Sequence, residues 1–178
     1  MDKKRIAVLV GSLRKESYNR RIANELIRLA PDSLELQILE IGDLPLYNED
    51  LEEHAPLPWV KFRDKLKGYD GVLFVTPEYN RSIPGVLKNA IDVGSRPSGK
   101  SVWKGKPGAV ISVTTGRLGA FGANHILRQS MVFLDVSIMQ QPEAYISNVG
   151  ELFDANSRVS GKTEILLKDF MESYVKWI

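Results

Sequence analysis

The chain has 178 residues, 43% hydrophobic and 26% charged, with a formal net charge of +2 and no cysteine. That length suits one domain with a well-buried core, so residues 1–178 are read as a single domain. The small charge argues against nucleic-acid or anionic-membrane partners, and the lack of cysteine removes disulfides, thiolate catalysis and thiolate metal sites together. No apolar run approaches the length of a membrane span, and the one after Met-Asp-Lys-Lys-Arg is too short for a signal peptide, so a cytoplasmic location is expected.

Ile6–Val10 is a continuous, β-branched apolar run, the pattern of a strand buried on both faces. Gly11 ends it, and Ser12, Arg14, Ser17 and Asn19 follow. Ile22, Ala23, Leu26, Ile27, Leu29 and Ala30 then recur at helical spacing up to Pro31. A buried strand therefore runs through a hydroxyl-rich loop into a helix N-terminus. Free N–H groups, the positive end of the helix dipole, hydroxyls and one arginine suit a phosphate there. The same loop also reads as an ordinary β-to-α turn whose Ser and Asn only cap the helix.

Leu34–Leu39 alternates apolar and polar residues, as a strand near a sheet edge does. Residues 41–58, with Gly42, Pro45, Pro56 and Pro58, form a surface connection, and Leu57–Leu66 a short helix. Val72–Val75 is a second buried strand, followed by the loop Thr76–Gly85 and a helix over Val86–Val93. Pro107–Val113 is a third, running into residues 114–122. Ala123–Leu134 reads as a helix and Val136–Met139 as a short strand. Thr163–Trp177 is a terminal helix with Ile165, Leu166, Phe170, Tyr174 and Trp177 inward. Five strands alternating with helices predict a parallel sheet covered on both faces. Ligands bind beyond the carboxyl ends of such strands, and loops 11–19, 76–85 and 114–122 all lie there.

Gly94-Ser-Arg-Pro-Ser-Gly-Lys-Ser101 matches a nucleotide-binding loop letter for letter, but its setting is wrong. A helix precedes it where a strand is needed, and Gly105 and Pro107 follow where a helix should grow. In 76–85, Pro77 and Pro84 stiffen the chain and Tyr79 offers a flat face beside Glu78, Asn80 and Ser82, suited to a planar ring or to simple hydrophobic anchoring. The glycines of 114–122 allow close backbone approach. His54 and His125 have no metal-ligand spacing, and no acid–base pair, nucleophile or metal constellation stands out. A ligand site without such groups suggests that a cofactor carries the chemistry.

Gly11-Ser-Leu-Arg-Lys-Glu-Ser-Tyr-Asn19, Thr76-Pro-Glu-Tyr-Asn80 and Ser82-Ile-Pro-Gly-Val-Leu-Lys-Asn-Ala-Ile-Asp92 together resemble the NADPH-dependent FMN reductase family, which includes quinone, azo-dye and chromate reductases. The resemblance runs from about residue 5 to Glu143. It implies an α/β, flavodoxin-like, three-layer, doubly wound five-stranded parallel sheet in the order 2-1-3-4-5. It also implies non-covalent FMN across the ends of strands 1, 3 and 4. Ser12, Arg14, Ser17 and Asn19 would hold the FMN phosphate, with backbone help from Leu13 and Tyr18. Pro77, Glu78, Tyr79 and Asn80 would line the flavin ring, with Ser82 close by. Thr114, Thr115 and Gly116 would line its far side. The implied reaction is a ping-pong transfer of two electrons from NADPH or NADH to a quinone-like acceptor, an azo compound, chromate or free flavin. No side chain is implied as catalyst and no metal as cofactor, and a homodimer or homotetramer is expected. A flavodoxin-type electron carrier is the alternative, although such carriers are strongly acidic. Two departures from the family pattern stand out. Val93 stands where relatives often have Trp, and Thr-Thr-Gly-Arg-Leu-Gly-Ala-Phe-Gly replaces a serine-rich loop. Both are expected to border the ring or the subunit interface.

Overall fold

The computed structural model describes residues 3–178. Among them, the strands are β1 (Lys4–Val10), β2 (Leu34–Leu39), β3 (Gly71–Thr76), β4 (Pro107–Val113), β5 (Ser137–Ile138) and β6 (Ala144–Ile146). The helices are α1 (Tyr18–Leu29), α2 (Leu57–Lys67), α3 (Gly85–Ser95), α4 (Phe121–Phe133) and α5 (Gly161–Trp177). The strands pair in the order β2-β1-β3-β4-β5, all parallel, which is the flavodoxin-like arrangement expected from the sequence.

Alternate residues of β1 enter opposite cores. Ala7 and Leu9 pack with α2, α3 and α4, and Ile6, Val8 and Val10 with α1 and α5. Burial on both faces explains why β1, β3 and β4 read as unbroken apolar runs rather than alternating ones. Trp59, Trp103 and Phe74 fill the first core, and Phe170 and Tyr174 the second.

Two expectations are corrected. The fifth strand position is shared by two short pieces, with β5 against Pro107 and Gly108 and β6 against Ile111–Val113 of the same β4 edge. Pro142 lies between them and has no N–H to give a ladder. In α5 the inward stripe is Leu167, Phe170, Met171 and Tyr174, whereas Ile165 and Trp177 are exposed. Spacings of three and four from Leu167 set that stripe, and Ile165 falls off it. Among the described residues, no helix is long and apolar enough to cross a membrane.

Candidate functional site

The register of β1, β3 and β4 brings their three following loops to one end of the sheet. In the first, Ser12, Ser17 and Asn19 are all buried. Ser17 is the N-cap of α1, its Oγ accepting the Arg20 N–H at 3.3 Å while its carbonyl accepts the Arg21 N–H at 3.0 Å. That cap leaves the N–H groups of Tyr18 and Asn19 at the open first turn without partners among the described residues. Asn19 is 6% exposed, yet its Oδ1 has no hydrogen-bond partner among the described residues. A half-turn of that amide would present two N–H donors at the same place. Exposed Arg14 bonds to Ser12 Oγ through its backbone N–H at 3.4 Å.

The second loop satisfies itself. Tyr79 and Ser82 exchange backbone bonds of 2.9 and 3.0 Å around Asn80 and Arg81, both in the left-handed region with φ of 52° and 65°. This tight primed turn pushes Tyr79 out to 48% exposure. Nothing in the sequence signalled it, because arginine is not a residue that favours positive φ. Glu78 reaches across the site. Its Oε2 accepts the Ala123 N–H at 3.1 Å, at the start of α4, and its Oε1 accepts from Arg81 Nη1 at 3.1 Å. The N-cap of α4 is Ala120, which has no side chain able to cap, so Glu78 supplies the carboxylate from another loop.

In the third loop, Thr114 Oγ1 accepts the Gly116 N–H at 3.1 Å, and the Asn148 N–H bonds to Gly116 O at 3.0 Å. A cleft of about 190 Å³ lies between the loops. Ser12, Arg14, Ser17, Tyr18 and Asn19 form one side, Pro77, Glu78 and Tyr79 the second, and Thr114 and Thr115 the third. Leu13 lies outside it, in an adjoining cleft of about 420 Å³ with Pro84, Gly85 and Val86. Asn80, Ser82 and Gly116 line neither cleft and shape the loops through their backbone. Val149, a wall residue the sequence reading missed, arrives from a 3-10 turn after β6 and carries no local signal. A wider groove of about 740 Å³ lies between β2 and α2, lined by mixed charges such as Lys61 and Asp64, and shares no lining residue with the cleft between the three loops.

The remaining candidates fall elsewhere. Gly94 sits inside α3, and a Cβ there would meet the Trp103 indole at 2.6 Å. The nucleotide-loop match is therefore a packing feature. Val93 is wholly buried in the core rather than beside the cleft, so its departure from the family pattern leaves the site untouched. His54 is exposed, and His125 pairs with Tyr145 Oη at 3.0 Å beside Phe121. Burial, followed by a hydrogen bond to Glu143, pushes the Tyr145 hydroxyl up to about 12.

Residues 4–151 match the model of a family described as NADPH-dependent FMN reductase. A quinone reductase of Pseudomonas putida is 59% identical over 174 residues, covering 97% of this chain and 94% of that protein. A 2-hydroxy-1,4-benzoquinone reductase of a Burkholderia species is 46% identical, covering 98% and 96%. Among solved structures, FerB, a flavoenzyme NAD(P)H:(acceptor) oxidoreductase of Paracoccus denitrificans, superposes with a TM-score of 0.92 at 44% identity, covering 98% of this chain and 96% of that one.

Proposed function

Because the chain belongs to the NADPH-dependent FMN reductase family, we propose that it is an FMN-dependent NAD(P)H oxidoreductase that reduces a quinone, with the strand-end cleft as its FMN site. The observation that carries the placement is the first turn of α1, where the N–H groups of Tyr18 and Asn19 have no partner among the described residues and the buried Asn19 amide, turned to present its N–H groups, adds further donors for a phosphate. Donors left unpaired at a helix start cost about 1–3 kcal/mol each when buried, so an anion that pairs them binds with much of that in its favour. The residues present fit FMN. Two hydroxyls, one arginine, the Asn19 amide and a helix N-terminus suit the phosphate. Pro77, Tyr79 and the backbone of Thr114 and Thr115 offer the flat, partly polar walls that a planar ring needs.

FMN held by Ser12, Arg14, Ser17 and Asn19 would supply the two-electron redox chemistry between a nicotinamide donor and a quinone. The protein's part is to bind and orient. Ser17, Asn19 and Arg14 fix the phosphate end and so set the register of everything beyond it. The Glu78 bond to the Ala123 N–H ties the second loop to the start of α4 and so fixes that loop beside the cleft. The adjoining apolar cleft, lined by Leu13, Tyr79, Pro84 and Val86, suits the flat ring of a quinone, and its open mouth suits alternating occupancy by donor and acceptor. A nicotinamide donor sets the proposed reaction in the cytoplasm.

The test is the visible spectrum of the purified protein before and after anaerobic NADPH. A flavin spectrum that bleaches promptly and returns on adding a benzoquinone is expected. A flavin spectrum that neither NADPH nor NADH changes would overturn the oxidoreductase reading in favour of an electron carrier.

A further inference from the structure

The segment after β6 returns to the cleft before it reaches α5. The Val149 N–H bonds to Thr114 O at 3.1 Å, and Val149 itself is part of the cleft wall. Further on, Phe153 stacks on Tyr18 with ring centroids 6.2 Å apart and planes 20° from parallel. The Arg21 guanidinium carbon lies 3.7 Å from the Phe153 centroid and 5.5 Å from that of Tyr18. Gly150 also faces Tyr18, and a Cβ there would stand 3.3 Å from its hydroxyl oxygen. Tyr18 is the first residue of α1 and lines the cleft between Ser17 and Asn19. An aromatic ring at the phosphate end of the site is thus held from behind by stacking and cation–π contacts to residues far along the chain.

The chain then doubles back. Phe153 and Val159 form an antiparallel bridge, with the Asp154 N–H bonded to Arg158 O at 2.9 Å. The second arm of this return, Arg158 and Val159, meets Glu25, a 3%-exposed carboxylate on α1. Glu25 accepts from Arg158 Nη1 at 3.0 Å and from the Val159 N–H at 3.1 Å, across 133 and 134 positions of sequence. On its own helix it accepts two further bonds from Arg28, at 3.0 and 2.8 Å. A carboxylate buried this deeply is tolerated only when its oxygens are saturated by such donors. Burial by itself raises the Glu25 carboxyl, but the bonds from Arg28, Val159 and Arg158 outweigh it and hold the group below the ordinary carboxylate range.

We infer that residues 148–159 form a clasp over the phosphate end of the cleft, in which Glu25 is a positioning residue that pins the clasp to α1 and Phe153 holds Tyr18 in place, so that FMN leaves slowly. This rests on the FMN reading of the cleft. Its consequence is that FMN stays bound through successive turnovers and is not released as a co-substrate.

The test follows FMN association and release by flavin fluorescence in the full-length protein and in three variants. Phe153→Ala removes the stack, Phe153→Tyr keeps it, and Arg158→Gln weakens the tether by removing the charged one of its two bonds, at an exposed position outside the core. Release is expected to quicken about tenfold in Phe153→Ala and about threefold in Arg158→Gln, as expected for losing one stacked contact and one tethering bond. Association is expected to stay at the wild-type rate, and Phe153→Tyr is expected to restore slow release. Wild-type release rates in both Phe153→Ala and Arg158→Gln, or fast release that Phe153→Tyr leaves uncorrected, would overturn the clasp while leaving the FMN site standing. A wild-type protein that binds no FMN would instead remove the FMN reading, and the clasp with it.

Discussion

The loops after β1 and β3 lie side by side at the same sheet end, and they solve opposite problems. The first buries Ser12, Ser17 and Asn19 and leaves the Asn19 oxygen and two helix-turn N–H groups unpaired among the described residues. The second pairs its own backbone across the Asn80-Arg81 turn, anchors Glu78 on α4 and pushes Tyr79 into solvent. On the proposed reading the first loop, incomplete without a ligand, supplies affinity, and the second, complete without one, supplies shape. Substitutions in the first should therefore change binding at little cost to folding, and those in the second should do the reverse.

The largest effect is expected at Arg14, which is exposed and has no part in the core. Arg14→Ala should weaken FMN binding about ten- to a hundredfold, the worth of a charge-assisted phosphate contact of about 1.5–3 kcal/mol. Its melting temperature without FMN should be unchanged, and unaltered affinity in a fluorescence titration would take Arg14 out of the site. Asn19→Ala should weaken FMN binding about fivefold to tenfold. The FMN-free variant should melt no lower than the wild type, and higher if the unpaired amide oxygen costs its usual 1–3 kcal/mol or so. A marked loss of stability there would mean that Asn19 serves the fold rather than the ligand.

Glu78→Gln reverses the pattern. Losing the charge at the α4 N-terminus and the pair with Arg81 should cost roughly 1 kcal/mol, a few degrees in melting temperature, with FMN affinity nearly intact. The smallest effect concerns acid. The Glu25 carboxyl is held low in the folded chain, so its contribution is fully present above the ordinary carboxylate range and is lost as pH falls through the lowered value. The ratio of release rates in Arg158→Gln and the wild type, from which the FMN phosphate's own titration at about pH 6 cancels, should accordingly be flat from neutral pH down to the ordinary carboxylate range and change only below it. A change in that ratio already at about pH 6 would point to another group.

The same contrast explains what the sequence made legible. Ile6–Val10, Val72–Val75 and Pro107–Val113 announced themselves as buried strands because each is apolar on both faces, and parallel order then forced their loops together. Ser17 and Asn19 were visible because capping and phosphate binding draw on the same residue types. The turn at Asn80-Arg81 was hidden, since the adjoining chain and not residue preference holds Arg81 at positive φ. The role of Glu78 in capping α4 depends on a contact 45 residues away, and that of Glu25 on contacts up to 134 away, so neither leaves a local pattern. The split of the fifth strand into β5 and β6 escaped notice because two- and three-residue strands are too short to show alternation. Leu152-Phe153 and Val159 are short apolar spots in a polar run and read as loop until their partners are known.

The most direct test of the account compares FMN with riboflavin, which lacks only the phosphate, by fluorescence titration of the flavin-free protein. If the β1–α1 loop is a phosphate cradle, FMN should bind at least about a hundredfold more tightly than riboflavin, and Arg14→Ala should erase most of that gap. Equal affinity for the two flavins would contradict the cradle and the assignment of residues 12–19 to it.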